Sequence, residues 1–544
     1  MMKSIGVSDV TQNYPTGAVK LNWNTLDILA PQIIMLFTTA VLAVVIKIPA
    51  GRSRSAAVMI GFTGMVLAAL VQLRGYSSFL SGQAAVLDGL SGWLILDPMG
   101  WILTFSILLL ATATIVLRRL RNYSGHGDGR FCLLITLSTV GWSLMPAAAN
   151  ALVLASCMLL GSLPLWMLLT LGTREDAHLP LIHKALLVVL AVMLLALLSM
   201  VICGLGVSWS RLFIPGPHAA VILWAVISVV LFLLPILFWT GSMPLHWWFG
   251  EAAAETPVEV AFCLLLIPYV GSMTALLRLL FTLDDHIPAV AGVVTLAVTF
   301  AALMAAVVYG VQALRQNDFA AVAGNLVGGL AAMLLLTLCV TVSAHALPVA
   351  HLAGGLLLYA LTVGLAAGPA LGIMGGGKSR ILGELPEWSR NNLLRALVLV
   401  LALLSLCGLP PTLGAITRMA LFHTVNSTGT WSGTFLIVVN VLSLIVGGVA
   451  TLRVAAYVFL DRPEIAVAAP PPARRRPVRH TAVGTLVLLL VASMINGAAL
   501  LAYRPIQHLT MAFMPISAAA TTTVPRIHKH HALLPVTMPI GWIV

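Results

Sequence analysis

The sequence predicts an all-α membrane protein of about fourteen transmembrane helices, on three observations. Of its 544 residues 60% are hydrophobic and only 8% charged, with a mean hydropathy of +1.03. A soluble domain carries about 25% charged residues, so this composition fits a bilayer. Apolar runs able to cross roughly 30 Å of hydrocarbon, about 20 residues each, recur along the chain. The basic residues alternate with those runs, as a fixed threading requires.

The runs lie near 27–47, 56–73, 93–117, 132–148, 150–172, 185–207, 219–240, 257–280, 288–313, 319–343, 349–374, 392–422, 430–460 and 481–503. The fourth and fifth are so nearly continuous that 132–172 resembles one long helix. Arg52 and Arg54 follow the first helix, and Arg118, Arg119, Arg121 and Arg130 the third. Arg174 and Lys184 come after the fifth, Arg315 after the ninth, and Lys378, Arg380, Arg390 and Arg395 after the eleventh. Arg462, Arg474, Arg475, Arg476 and Arg479 follow the thirteenth, whereas loops after even-numbered helices hold only Arg74 and Arg211. The positive-inside rule then puts the odd loops in the cytoplasm and both termini in the periplasm of a bacterial inner membrane. The net charge of +12 is thus a topology signal and not a nucleic-acid footprint.

Six cysteines (Cys132, Cys157, Cys203, Cys263, Cys339, Cys407) fall inside predicted spans without C-x-x-C spacing, which reads as core packing. No cleavable leader is expected, since about 25 polar-to-mixed residues precede the first helix. The Pro- and Arg-rich stretch 469–479 reads as a loop with no reason to order. His528, His530 and His531 lie in the tail; metal binding there would need a fourth ligand and fixed spacing, so a solvated tail is the simpler reading.

One segment stands out chemically. Residues 243–257 carry His246, Glu251, Glu255, Pro244 and Pro257 between two long apolar runs, and Glu259 follows. Irregular polar backbone at such a place is tolerated only where protein buries it or a wet cavity lines it. Pro235 in the seventh helix and Pro410-Pro411 in the twelfth fall in helices five apart, as paired broken helices of transporters do, although other spans hold prolines too, Pro268 and Pro369 among them.

These motifs resemble the antiporter-like subunits of proton-translocating NADH:quinone oxidoreductase (complex I) and their Mrp-antiporter relatives. In that family a Pro-Leu-His, a Trp, an acid and a second acid-x-Pro precede a lysine-bearing helix, like the run from Pro244 to Pro257 here. Further landmarks come in family order: Pro31-Gln32, Asp97-Pro98, the stretch 141–166 ending in Ser162-Leu163-Pro164-Leu165, Gln316-Asn317-Asp318, the run 403–422 and Leu452-Arg453. The opening motifs look most like the subunit-N branch, and the Pro-Leu-His like subunit M. The resemblance implies two inverted five-helix repeats with broken helices 7 and 12. It divides the chain into an N-terminal segment 1–26, helices 1–3 over 27–130, repeats at 131–285 and 286–460, a loop at 461–480, helix 14 at 481–503 and a tail from 504 to 544.

The family's proton path is a chain of buried ionisable groups: a Glu on helix 5, and Lys on helices 7, 8 and 12, the last sometimes Glu. Here the helix 5 station is Leu159, the helix 7 station Trp239, and the helix 8 station falls on Tyr269 or Val270. Only helix 12 keeps a charge, as Arg418. A buried lysine can shed its proton, whereas arginine, with a pKa above about 12, effectively cannot. The lysine wire therefore reads as cut, with Arg418 a fixed cation set against carbonyls near Pro410-Pro411.

Four titratable residues survive near the first break. On a continuous helix Glu251, Glu255 and Glu259 would share one face, a candidate proton entry with His246 as shuttle. Alternatively, the acids form a solvated face that complements a helix N-terminus, and His246 caps free carbonyls. Lys184 and Arg453 read as ordinary helix-end charges, and His345 and His351 as residues of the outer interface.

The resemblance implies a membrane-arm subunit of a complex-I-like or related complex, associated with proton translocation coupled to quinone reduction. Two alternatives stand beside it: a structural, non-pumping subunit, and a cation or inorganic-carbon transporter. Partners would be other membrane subunits and the lipid bilayer, with no nucleic acid. The chain has no nucleotide-binding glycine motif and no cysteine cluster. Quinone, FMN and iron–sulfur clusters, and any catalysis, are accordingly expected of partner subunits.

Overall fold

The computed structural model describes residues 23–460, except 48–49, 81–86, 91–92, 121–126, 173–179, 203–218, 287, 344–348, 373–380, 391, 411 and 427–430. The expected helix 14, the 461–480 loop and the tail histidines lie outside the described residues, as does His345.

The first half runs α1 (Trp23–Val45), α2 (Ala50–Leu80), α3 (Pro98–Leu120), α4 (Asp128–Leu144), α5 (Ala151–Gly172), α6 (Pro180–Ile202) and α7 (Ala219–Trp239). A short α8 (Trp248–Glu255) precedes α9 (Val258–His286), α10 (Pro288–Arg315), α11 (Phe319–Ser343) and α12 (Val349–Gly372). The turn helix α13 (Leu385–Arg390) leads to α14 (Leu393–Cys407), α15 (Leu413–Asn426) and α16 (Trp431–Phe459).

Among the described residues nine helices are long and apolar enough to cross a membrane, and five shorter apolar helices accompany them. The chain is a multi-pass membrane protein. The all-α expectation needs one correction, a two-stranded antiparallel hairpin of β1 (Leu87–Gly89) and β2 (Leu94–Leu96). Its second strand occupies the start of the expected third helix, which begins instead at Pro98, where a proline suits the first helical turn. The 132–172 run divides at a 3-10 turn, Met145–Ala147, after which the Asn150 side chain accepts from the Val153 amide to start α5.

Irregular backbone follows the seventh helix and divides the twelfth, but Pro235 does not mark the first of these places: it lies inside α7, which continues through it to Trp239. The seventh helix stops at Trp239 and resumes as α8; the twelfth divides into α14 and α15 around Gly408. Gly408 takes φ 85°, the left-handed C-cap that lets its own amide return to Leu404 O and Ser405 O.

α9 is the central post. Its membrane-spanning stretch is entirely buried, packed by α3, α5, α7, α8, α10 and α12, whereas α1, α2, α10 and α16 turn much of their surface outward. α3 and α9 are antiparallel and clasped at both ends. At one end Arg118 of α3 meets Glu259 of α9 at 2.5 Å and Asp128 of α4 at 2.6 Å. At the other, Asp97 accepts from Arg278 at 3.2 Å and from the Gly100 amide at 2.7 Å. At 1.5 Å rise per residue the two clasps stand about 30 Å apart, the thickness of the hydrocarbon core.

Candidate functional site: the two helix breaks

At the first break Gly241 adopts φ 64°, where a Cβ would lie 2.5 Å from the Tyr309 hydroxyl. The stretch then passes through a cis Met243-Pro244 bond into α8. Interrupting a helix in a membrane frees backbone groups that must be satisfied inside the protein. Trp248 does part of this through its indole N–H, which donates to Phe238 O at 3.1 Å. Chain amides meet others, Gly241 N on Phe238 O and Ser242 N on Leu237 O, and the Tyr309 hydroxyl of α10 lies 2.8 Å from Gly241 O and 3.0 Å from His246 O. α8 itself seats closely on α11: a Cβ on Gly324 would lie 2.8 Å from Phe249 O, and one on Gly250 would lie 2.8 Å from the Asn325 side chain.

Trp239, the last residue of α7, is 1% exposed. Its ring lies edge-on to Trp142 at 5.6 Å, Phe238 at 5.3 Å and Trp248 at 5.9 Å. This is an apolar aromatic box, and the Trp239 Nε1 is buried without a hydrogen-bond partner in it. Leu159 is half-buried and packs on the core. Tyr269 and Val270 are fully buried; the Tyr269 hydroxyl donates to Ala331 O at 2.7 Å and its ring lies 4.6 Å from Tyr359.

The three glutamates separate. Glu251 and Glu255 lie on α8, exposed and half-buried respectively, and the chain breaks at Thr256-Pro257 before α9 begins. Glu259 therefore does not continue their face but is fully buried in the Arg118 clasp. The continuous-helix geometry fails because Pro257 has no N–H to extend α8, and Thr256 turns its hydroxyl back onto Ala252 O at 2.5 Å.

His246 is half-buried, edge-on to Tyr309 at 5.9 Å. Burial holds its imidazole below the usual range, against an opposing hydrogen bond with the Pro244 backbone. Although Glu251 is exposed overall, partial desolvation by its neighbours and then the Glu255 carboxylate push its carboxyl upward. Lys184 is exposed near the start of α6. Arg453 ties α16 to the end of α10, donating to Leu314 O and, at 2.7 Å, to Asn317 Oδ1.

At the second break Arg418 is 4% exposed. Its guanidinium donates to Asn440 Oδ1 at 2.6 Å, Asn440 O at 3.2 Å and Ser443 Oγ at 3.4 Å, so its hydrogen bonds among the described residues run to α16. The C-terminal carbonyls of α14 are met by the chain itself: Leu404 O receives Gly408 and Leu409 amides, and Leu409 O receives the Thr412 hydroxyl at 2.6 Å.

Sequence reading missed Tyr309, Tyr359 and the Arg118–Glu259 pair. A tyrosine inside an apolar run is indistinguishable from core, and the pair spans 141 positions of sequence. The one available signal was Arg118 at a helix end, read as topology alone.

Comparisons with known proteins agree with this architecture. Residues 153–445 match the family described as NADH:quinone oxidoreductase/Mrp antiporter, transmembrane. The chain is 25% identical over 441 residues to a protein named NADH-quinone oxidoreductase subunit N 1 from Streptomyces griseus, covering 80% of this chain and 90% of that one. It is 26% identical over 399 residues to subunit N from Polaromonas naphthalenivorans, with coverage of 69% and 77%. Among solved structures it shares its fold with a chain of respiratory complex I from Thermus thermophilus (TM-score 0.65, 20% identity, 86% and 96% coverage). It also shares it with a chain of the Mrp complex from Dietzia (TM-score 0.68, 15% identity, 91% and 96% coverage). With the match spanning both helix breaks and more than half of its length, the chain belongs to the NADH:quinone oxidoreductase/Mrp antiporter membrane family.

Proposed function

We propose that the chain serves as a membrane-arm, antiporter-like subunit of a complex-I-like NADH:quinone oxidoreductase or a related multi-subunit complex. The observation that carries this is the family match across both breaks. Relatives bearing the name NADH-quinone oxidoreductase subunit N, matched over most of their length, support the respiratory form. Redox chemistry and its quinone, flavin and iron–sulfur groups would belong to partner subunits. Affinity purification from the native membrane tests it: co-purification of other membrane subunits with a redox module is expected, and isolation as a lone transporter would sink it.

Within this role the chain keeps the scaffold without the lysine relay. The aromatic box around Trp239 favours a subunit that does not conduct protons by that route, since neither Leu159 nor Trp239 carries a titratable group. Liposomes holding the purified chain should show no pH-gradient-driven proton or Na⁺ flux above empty ones. Robust flux abolished by Glu251→Gln or Glu255→Gln would move the pathway to α8.

The finer arrangement follows the same reading: fourteen spans, two inverted repeats at 131–285 and 286–460, and both termini periplasmic. A cysteine at Asp284 should then label from outside intact cells and one at Gln316 should not; the reverse pattern would invert the topology.

A further inference from the structure

The two helix breaks are joined by one seam of contacts between α10 and α16. At the first break the Tyr309 hydroxyl has one proton for two acceptors, Gly241 O at 2.8 Å and His246 O at 3.0 Å. It donates fully to only one of them at a time, so the turn between those carbonyls has two hydrogen-bonded arrangements. The tyrosine itself is tightly held: a Cβ on Gly328 of α11 would lie 2.6 Å from its Cε1, and one on Gly241 2.5 Å from its hydroxyl. Movement of the turn therefore presses on α10.

The residue after Tyr309 faces α16, where a Cβ on Gly310 would lie 2.9 Å from Val446 Cγ1. Further along, Leu314 O accepts from Arg453 of α16, whose guanidinium also donates to Asn317 Oδ1 at 2.7 Å. Gly310 and Leu314 are four residues apart and Val446 and Arg453 seven, so both contacts lie on one face of each helix. A seam pinned at two heights resists sliding, and a close-packed interior transmits displacement rather than absorbing it.

α16 carries the seam on to the second break. Asn440, Ser443 and Gly447 share a face at i, i+3 and i+7. The first two hold the Arg418 guanidinium of α15 at 2.6 Å and 3.4 Å. A Cβ on Gly447 would lie 3.1 Å from the sulfur of Cys407, the last residue of α14, whose thiol donates to Leu444 O at 3.5 Å. Next in the chain, the Gly408 amide is shared between Leu404 O at 3.0 Å and Ser405 O at 3.1 Å. α16 thus grips both halves of the broken helix.

We infer that α10 and α16 form a strut coupling the two breaks, so that rearrangement of the turn at Gly241 shifts the backbone at Gly408. Such coupling is reciprocal, and no group on this route has to change its charge.

Hydrogen exchange of the purified full chain in detergent tests the strut. Tyr309→Phe should speed exchange over 238–249 and, through the seam, over 404–409 by roughly fivefold. α4, which packs on α1, α3 and α5, should stay as in wild type. Asn440→Ala loosens the hold on Arg418 and should speed 238–249 in return, which decides the matter where Tyr309→Phe fails to fold. Val446→Ala with Arg453→Gln cuts the seam and should confine each effect to its own break. Unchanged exchange at the distant break, a rise shared equally by α4, or transmission that survives the cut seam overturns the proposal.

Discussion

At the break between α7 and α8 the chain packs Trp239 against Trp142, Phe238 and Trp248, whereas between α14 and α15 it seats the guanidinium of Arg418. Both breaks solve the same backbone problem, since interrupted carbonyls are met by chain amides at each, joined by an indole and a tyrosine at the first and by Thr412 at the second. The side chains packed beside the two breaks differ, an apolar ring at the first and a guanidinium at the second. The need to satisfy backbone polar groups in a membrane is thus separable from the need to hold a charge there. The first break has irregular backbone with Trp239 beside it; the second has irregular backbone with a buried charge that cannot titrate.

The largest test of this contrast lies beside the first break. If Glu259 is a clasp rather than a proton inlet, Arg118→Met strands a buried carboxylate and costs about 3–5 kcal/mol. Arg118→Met with Glu259→Leu should recover most of that in a thermal melt, and failure to recover would mean that Glu259 has other work.

Trp239→Ala empties the aromatic box and is expected to cost about 3–5 kcal/mol, read as a lower unfolding midpoint. A loss well under 1 kcal/mol would show that the box is not tightly packed and that the first break resembles the second.

Smaller and more discriminating is the pair of tyrosines. Tyr309→Phe removes the donor shared by Gly241 O and His246 O and should cost about 1–3 kcal/mol. Tyr359→Phe deletes a buried hydroxyl that has no partner among the described residues, and should be neutral or stabilising. Equal losses would dissolve the assignment of Tyr309 as the brace of the first break.

The smallest effect is a pH dependence. His246 titrates below its ordinary 6.5 in the folded state because burial disfavours its charged form. Its neutral form therefore contributes stability that is present above 6.5 and lost as the pH falls through the lowered folded value. His246→Gln should flatten the decline of the melting midpoint below pH 6.5, and an unchanged profile would place that decline elsewhere. Glu251 runs the other way: its raised value favours the folded state only in acid and is lost as the pH rises through it.

The sequence by itself determined that the chain is a multi-pass membrane protein and that irregular backbone follows its seventh apolar run and divides its twelfth. Hydrophobic length acts locally and adds along the chain, and Pro244, Pro257 and Gly408 constrain their own backbone wherever they sit. It also determined that Arg418 stays charged, because no burial within reach neutralises a guanidinium. Only the tertiary structure decided what the acids do. Glu255 and Glu259 are four residues apart, yet one borders α8 and the other is sealed by an arginine from α3. It likewise decided that Tyr309 braces the first break from α10, that Trp239 closes a box with Trp142, and that Arg418 reaches α16. Each is a contact between helices, whose free energy depends on separation and desolvation that no local pattern encodes.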